Sequence, residues 1–278
     1  MYLLIPQNEE EIYELKEYYD GLILSVENLS INYKTFSLEK IKEIIQNVKN
    51  KEIFINLNKN MHNKDIPLLK ETLKILDELE IKAILYYDIS IVNIGSKHDL
   101  VWSACHMTTN YKTMDFWYKR GIKYTFLSNE ITLEEIKEIS KNTKMELMVQ
   151  VFGYTPIFAS IRDIVKNYRK TFKLEDNSKV NYIKHENDLY PIVNEKETVV
   201  YNSKILNAID EIDEYKKMNI KYFIINSFLI DDIKEVLQNF KSNKKFNYQN
   251  QGKGFLYEET IYKVKKWKSP NYSHLLVI

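Results

Sequence analysis

Short apolar runs alternate along the chain with stretches whose apolar residues recur every three or four positions. The first run is Tyr2–Ile5, followed by a helical stretch opened by Asn8 with Glu11 three residues on, an arrangement that resembles a capping box. Leu22–Val26 comes next, then a helix with Leu38, Ile41, Ile44 and Val48 at helical spacing. Ile53–Leu57 precedes Pro67 at a helix start and the stripe Leu69, Leu73, Leu76, Leu79. Ala83–Tyr87 is the fourth run, Val101–Ala104 a weaker fifth and Tyr124–Ser128 the sixth. After the sixth, Thr132 and Glu135 form a second capping box ahead of Leu133, Ile136 and Ile139. Leu147–Phe152 is the seventh run. Tyr222–Asn226 is the eighth, before a helix with Ile233, Val236, Leu237 and Phe240.

Eight strand-like runs, most of them followed by helices, predict parallel βα units. Seven repeat at intervals suited to a (β/α)8 barrel of the TIM type, and a doubly wound open sheet accommodates nearly the same count. The gap before the eighth run is much longer. Residues 157–200 therefore read as an insertion between strands 7 and 8, first basic and helical (IRDIVKNYRKTFK), then a hairpin (NDLYPIVNEKETVVYNS). The expected organisation is one α/β barrel domain over residues 1–266, with a tail, 267–278, that fits no element.

Composition narrows the function classes. The 40 basic and 39 acidic side chains leave a net charge of +1, so a nucleic-acid surface must be a local patch. One cysteine, Cys105, excludes an internal disulfide framework. It also leaves no closed zinc or iron–sulfur ligand set within the chain, so no metal or cofactor is expected. The opening MYLLIPQNEEEIYELK lacks the basic start and apolar length of a signal peptide, and no run reaches 18 apolar residues. The expectation is a cytoplasmic protein with no membrane contact.

Several segments resemble the peptidase U32 family in order and spacing: FSLEKIKEII, INLNKNMHNKDIPLLKETLKILDELEIKAILYYDISIV, ITLEEIKEI, YPIVNEKETVVYNSKIL and GFLYEETIYKV. His62-Asn63-Lys64-Asp65 resembles the family's His-Asn-x-Asp turn, and Asn202-Ser203-Lys204 its Asn-Ser-Lys segment. The resemblance implies the barrel rather than the open sheet. The departures bear on chemistry. Where the family signature reads Glu-x-Phe-x-x-Gly, this chain has Met148-Val149-Gln150-Val151-Phe152-Gly153. Pro156 and Asp163 stand where family cysteines follow, cysteines that hold an iron–sulfur cluster in some members. Ile224-Ile225-Asn226-Ser227-Phe228 replaces a Lys-Ile-Glu-Gly-Arg motif. The short, cysteine-poor branch of low-GC bacteria is the nearest likeness. That branch implies tRNA wobble-uridine (5-hydroxyuridine) hydroxylation beside a longer, cysteine-bearing paralogue.

Parallel barrels place chemistry at the C-terminal ends of their strands. Those positions supply Glu27, Asn58, Asp88, Asn129, Gln150 and Asn226. Amides hold polar ligands but do not titrate near neutral pH, which leaves Glu27 and Asp88 as the acid–base candidates. With Lys204 from the Asn-Ser-Lys segment, the candidate substrate-binding set is Glu27, Asp88, Gln150, Lys204 and Asn226; no catalytic residue is assigned. Cys105 and His106 are sequence neighbours, and on an extended segment they would face opposite ways, so no thiolate–imidazole pair is expected. No His-Glu-x-x-His helix is present. Two segments carry the ingredients of RNA contact, cations beside stacking rings. Residues 241–268 hold eight lysines against two glutamates, among Phe246, Tyr248, Phe255, Tyr257, Tyr262 and Trp267. The insertion offers Arg162, Lys166, Arg169 and Lys170 as candidate RNA-binding residues, with Lys173, Tyr168 and Phe172 nearby. Three readings stand: RNA-base hydroxylation with tRNA and the paralogue as partners, a collagenase-like endopeptidase, and a silent barrel that binds a small anionic metabolite.

Overall fold

The apolar runs form strands that close into a ring. In the computed structural model, which describes residues 1–258 apart from 176–177, 195–196 and 219, the ring begins with β1 (Tyr2–Ile5), β2 (Gly21–Ser25), β3 (Glu52–Leu57) and β4 (Ala83–Tyr86). It continues through β5 (Asp99–Trp102), β6 (Tyr124–Phe126) and β7 (Glu146–Gly153). Each pairs in parallel with the next. The insertion supplies β8 (Pro156–Ser160), β9 (Val180–His185), β10 (Asp188–Asn194) and β11 (Thr198–Tyr201), and β12 (Ile205–Asn207) follows it. The last barrel strand, β13 (Tyr222–Asn226), pairs in parallel with both β7 and β1 and closes the circle. A short β14 (Gln251–Gly252) lies beside β12. The fold is a closed eight-stranded parallel (β/α)8 barrel, and the open-sheet alternative falls away.

Alternation along each strand sorts the side chains. Leu3, Ile23, Phe54, Leu85, Val101, Tyr124, Met148 and Ile224 fill the barrel interior. Their neighbours in sequence face the helices and join the larger core outside it. The expected stripes are the buried ones. In α1 (Glu9–Glu14), Ile12 is buried; α2 (Leu38–Asn47) buries Ile41 and Ile44; and α3 (Ile66–Leu76) buries Leu69, Leu73 and Leu76. Two elements absent from the pattern follow, α4 (Ser90–Ile94) and α5 (Tyr111–Tyr118). The helix α6 (Leu133–Asn142) opens on the full reciprocal capping box of Thr132 and Glu135. At α1 the box is altered: Asn8 accepts from the Glu11 N–H, but the Glu11 carboxylate accepts from the N–H of Gln7 instead. That carboxylate is buried and also receives the Gln7 amide and the Ser227 hydroxyl, at 2.8 and 2.6 Å, which ties the end of β1 to the end of β13.

The insertion is more than a helix and a hairpin. The expected hairpin is present as β10 and β11, but β9 and β8 complete a four-stranded antiparallel sheet in the order β8-β11-β10-β9. Its inner face, with Val193, Val199 and Tyr201, packs on Phe228 and Leu229 after β13, Ile31 and Tyr33 after β2, and Tyr154 after β7. The sheet therefore covers the C-terminal ends of those strands. The opposite face, with Ile192 and Val200, receives Val165 of α7 (Ile164–Phe172). The chain returns through α8 (Ile212–Lys217) and ends its described part after α9 (Ile233–Lys241) and β14. The tail at 267–278 lies outside the described residues.

Candidate functional site

At the C-terminal mouth several inward positions near the strand ends are polar. Ser25, Asn56, Gln150 and Asn226 are all buried there. Each amide has a partner within the protein. Asn56 Nδ2 donates to Ser25 Oγ at 3.0 Å, and Asn32 Nδ2 donates to the same oxygen at 3.1 Å. Gln150 Nε2 lies 3.2–3.3 Å from the carbonyls of Phe152, Gly153 and Tyr154, while its oxygen accepts from Asn129 at 3.4 Å. Asn226 Nδ2 donates to the Tyr154 carbonyl at 3.2 Å, and its oxygen caps the Phe228 N–H. Gln150 and Asn226 thus come together, around the backbone turn at the end of β7. They satisfy carbonyls that burial would otherwise strand, at a cost of about 1–3 kcal/mol each.

Gly153 explains the turn. Its φ is +106°, and a Cβ there would stand 2.2 Å from the Asn226 carbonyl oxygen. Gly153, the residue of the family signature that this chain retains, therefore serves the seam between β7 and β13: the missing side chain lets the two backbones touch.

The other candidates are scattered. Glu27 is exposed after β2, where its N–H meets the Phe36 carbonyl. Asp88 is half-buried after β4, with one oxygen on the Met61 N–H at 2.9 Å and the other on the Ser90 N–H at 2.8 Å. Burial pushes its carboxyl up, but donors on Ser90 and Met61 outweigh that and hold it below the ordinary range. A carboxylate so engaged is a loop clamp rather than a proton carrier. Lys204 is exposed, with its stem beside Gly252. Asn58 clamps both backbone groups of Ile31.

Cys105 does not sit on extended chain. It lies in a 3-10 turn at φ +44° and reaches solvent. Surrounding protein atoms, then the Glu130 carboxylate, push its thiol above the ordinary value of 9.0. His106 faces Glu130 at 3.6 Å rather than the thiol. A raised thiol is a poor nucleophile at neutral pH. Nor does an iron–sulfur cluster fit, because the chain has one thiol and Pro156 opens β8 where a ligand would be needed. Among the described residues, no three His, Cys, Asp or Glu side chains converge as a metal site requires.

Neither basic segment is uniformly exposed. The helix α7 lies on the face of the insertion sheet turned away from the barrel, so a layer of sheet separates its cations from the barrel mouth. Arg162, Lys166 and Lys170 are exposed there. Arg169 is half-buried and donates to the Ser178 carbonyl and Asn181 Oδ1 at 3.0 and 2.9 Å, which ties α7 to β9. In residues 241–258, Phe246 and Tyr248 pack against Phe152. Lys245 pairs with Asp210, and Lys253 with Asp210 and the buried Glu211. Those two rings are taken up by the core, whereas Phe255 and Tyr257 are exposed. Tyr262 and Trp267 lie outside the described residues. The ties of Lys253 and of Tyr257, whose hydroxyl meets Glu211 at 2.9 Å, are absent from the sequence pattern because their partners are more than forty residues away.

These features define a class: a closed parallel barrel, capped at one side by an inserted antiparallel sheet, whose mouth is built of internally bonded amides. The sequence profile of peptidase family U32 matches residues 13–274, and the chain belongs to that family. Among its relatives, tRNA hydroxylation protein P2 of Bacillus subtilis is 27% identical over 210 residues, which span 70% of this chain and 68% of that protein. The same organism's tRNA hydroxylation protein P1 is 23% identical over 176 residues, 60% of this chain and 42% of that one. An uncharacterized protease of Methanocaldococcus jannaschii is 29% identical over 154 residues, 51% of this chain and 37% of its own length. The matches thus span about two thirds of the first relative and under half of the other two. No helix among the described residues is long and apolar enough to cross a membrane.

Proposed function

We propose that this protein takes part in hydroxylation of a tRNA base, uridine to 5-hydroxyuridine, as a subunit that shapes the RNA site while a longer, cysteine-bearing paralogue performs the chemistry. Two relatives named for tRNA hydroxylation support the pathway. The division of labour rests on one observation. The amides at the mouth are bonded internally, and one of the two acid–base candidates, Asp88, is clamped in its ionised form. General acid–base or nucleophilic work needs a group that can change its protonation state against the substrate. Neither the buried amides nor the clamped Asp88 is such a group. The endopeptidase reading lacks an activated thiol, because the Cys105 thiol is pushed up and His106 faces Glu130.

The test is mass spectrometry of tRNA nucleosides from a strain lacking this gene. Loss of 5-hydroxyuridine and its derivatives is the expected result, with full restoration by a copy carrying Cys105→Ser. An unchanged nucleoside profile would remove the pathway assignment. Restoration by the parent but not by Cys105→Ser would make this chain the chemical subunit. Gelatin hydrolysis by the pure protein would return the endopeptidase reading.

A further inference from the structure

Outside the barrel wall, at the C-terminal ends of β4 and β5, a groove of about 870 Å³ runs between the strand ends and α5. Four rings line it: Tyr87, Trp102, Phe116 and Trp117. Trp102 and Trp117 are almost wholly buried and lie 4.6 Å apart, so they form a rigid wall. Phe116 stands at right angles to Trp117 at 5.2 Å, carries the Arg120 guanidinium 3.5 Å from its centre, and is still 46% exposed. Large apolar groups left in water at one place mark a binding surface. A second, independent observation points the same way. The indole N–H of Trp102 is buried and has no acceptor among the described residues. A buried donor without a partner costs about 1–3 kcal/mol, so it calls for an acceptor from elsewhere.

The lining says what kind of acceptor. Rings share the groove with the polar side chains of Asn60, Thr109 and Asn110, with the ammonium of Lys112, and with Asp88, whose carboxylate is already held by the Met61 and Ser90 N–H groups. An apolar protein segment would satisfy the rings but offer nothing to the Lys112 ammonium or the indole N–H. A nucleobase has a π-face for the rings and carbonyl oxygens for N–H donors, and it brings a phosphate for the lysine. We infer that this groove receives an unstacked base of single-stranded RNA. The inference rests on the tRNA reading above and moves the specific contact from the insertion helix, which faces away from the barrel, to the flank of the mouth. The groove is several times the size of one base, which favours a strand over a lone nucleotide.

Full-length protein is to be titrated with uridine hexaribonucleotide, with uridine 5′-monophosphate and with an unmodified tRNA transcript, and then cross-linked to the tRNA by ultraviolet light for peptide mapping. Cross-links on peptides holding Tyr87 or Phe116 are expected. Phe116→Ala should weaken hexamer binding about tenfold by removing a stacking face. Trp102→Phe keeps a ring but deletes the donor, and it should weaken hexamer binding several-fold at a temperature where both proteins are folded, the smaller buried ring lowering the unfolding midpoint separately. If tRNA binds and cross-links to α7 while both variants bind as the parent does, the groove is wrong and the tRNA reading survives. Should the parent bind neither hexamer nor tRNA, both fall together. Mononucleotide affinity equal to that of the hexamer would make it a free-nucleotide site and overturn the RNA assignment.

Discussion

Replacing Gly153 by alanine tests how the barrel closes. Two terms oppose the substitution. At φ +106° an L-residue lies outside the right-handed and the small left-handed regions, which costs about 1–3 kcal/mol. The added Cβ would also stand 2.2 Å from the Asn226 oxygen and 3.0 Å from its carbonyl carbon, contacts that only a separation of β7 from β13 relieves. Forced overpacking of this kind costs about 1–3 kcal/mol more. The expected loss is thus about 2–6 kcal/mol, a large part of the ~5–15 kcal/mol typical of a folded domain. Gly95 supplies the control, since it has φ +88° with nothing within 4 Å of its absent Cβ. Gly95→Ala should carry the backbone term alone. Urea unfolding followed by far-ultraviolet circular dichroism measures both variants, and the difference between them isolates the close approach. If the two losses agree within about 0.5 kcal/mol, the seam has room and the reasoning is refuted.

The Asp88 carboxyl is depressed below its ordinary value of 3.8 in the folded state, so its stabilisation is complete above that pH and is lost as pH falls through the native value. Asp88→Asn should therefore flatten the acid limb of the stability curve below about pH 4, as read by urea midpoints from pH 2 to 7. The Cys105 thiol is pushed up, so its thiolate forms only above the ordinary value of 9.0. Alkylation by iodoacetamide at pH 7 should be slower than that of free cysteine despite the residue's exposure, and a faster rate would point to an activated thiol. Arg162→Ala with Lys166→Ala should lower the slope of log affinity for tRNA against log salt by at most about two. Arg169→Ala should instead lower stability with little change in that slope, because its guanidinium is bound to Ser178 and Asn181.

Strand and helix order was legible because hydrophobic burial writes a local signal. Tyr2–Ile5 and Tyr222–Asn226 are strands at the very residues where the apolar runs fall, and Thr132 with Glu135 starts α6 through bonds within four residues. Those patterns stay readable because a run or a cap involves only neighbours in the chain. The helix α5 escaped notice because its aromatic residues, Phe116 among them, are divided between core and solvent and leave no clean stripe.

Polar groups behaved differently. Gln150 and Asn226 stand at the strand ends that the sequence marks as candidate ligand contacts, yet their amides serve carbonyls at and after the end of β7. For Asn226 that carbonyl belongs to Tyr154, 72 residues away. Arg169 looked like a free cation in a basic helix until β9 supplied its acceptor, and the side of the sheet on which α7 lies followed from alternation in β10 and β11. An apolar residue needs only to leave water, and many positions satisfy it. A polar residue needs one partner at one distance and angle, and which partner arrives is settled only when distant segments are brought together. Sequence alone therefore determined the barrel and the family, while tertiary structure decided which of its polar groups are free to meet a ligand.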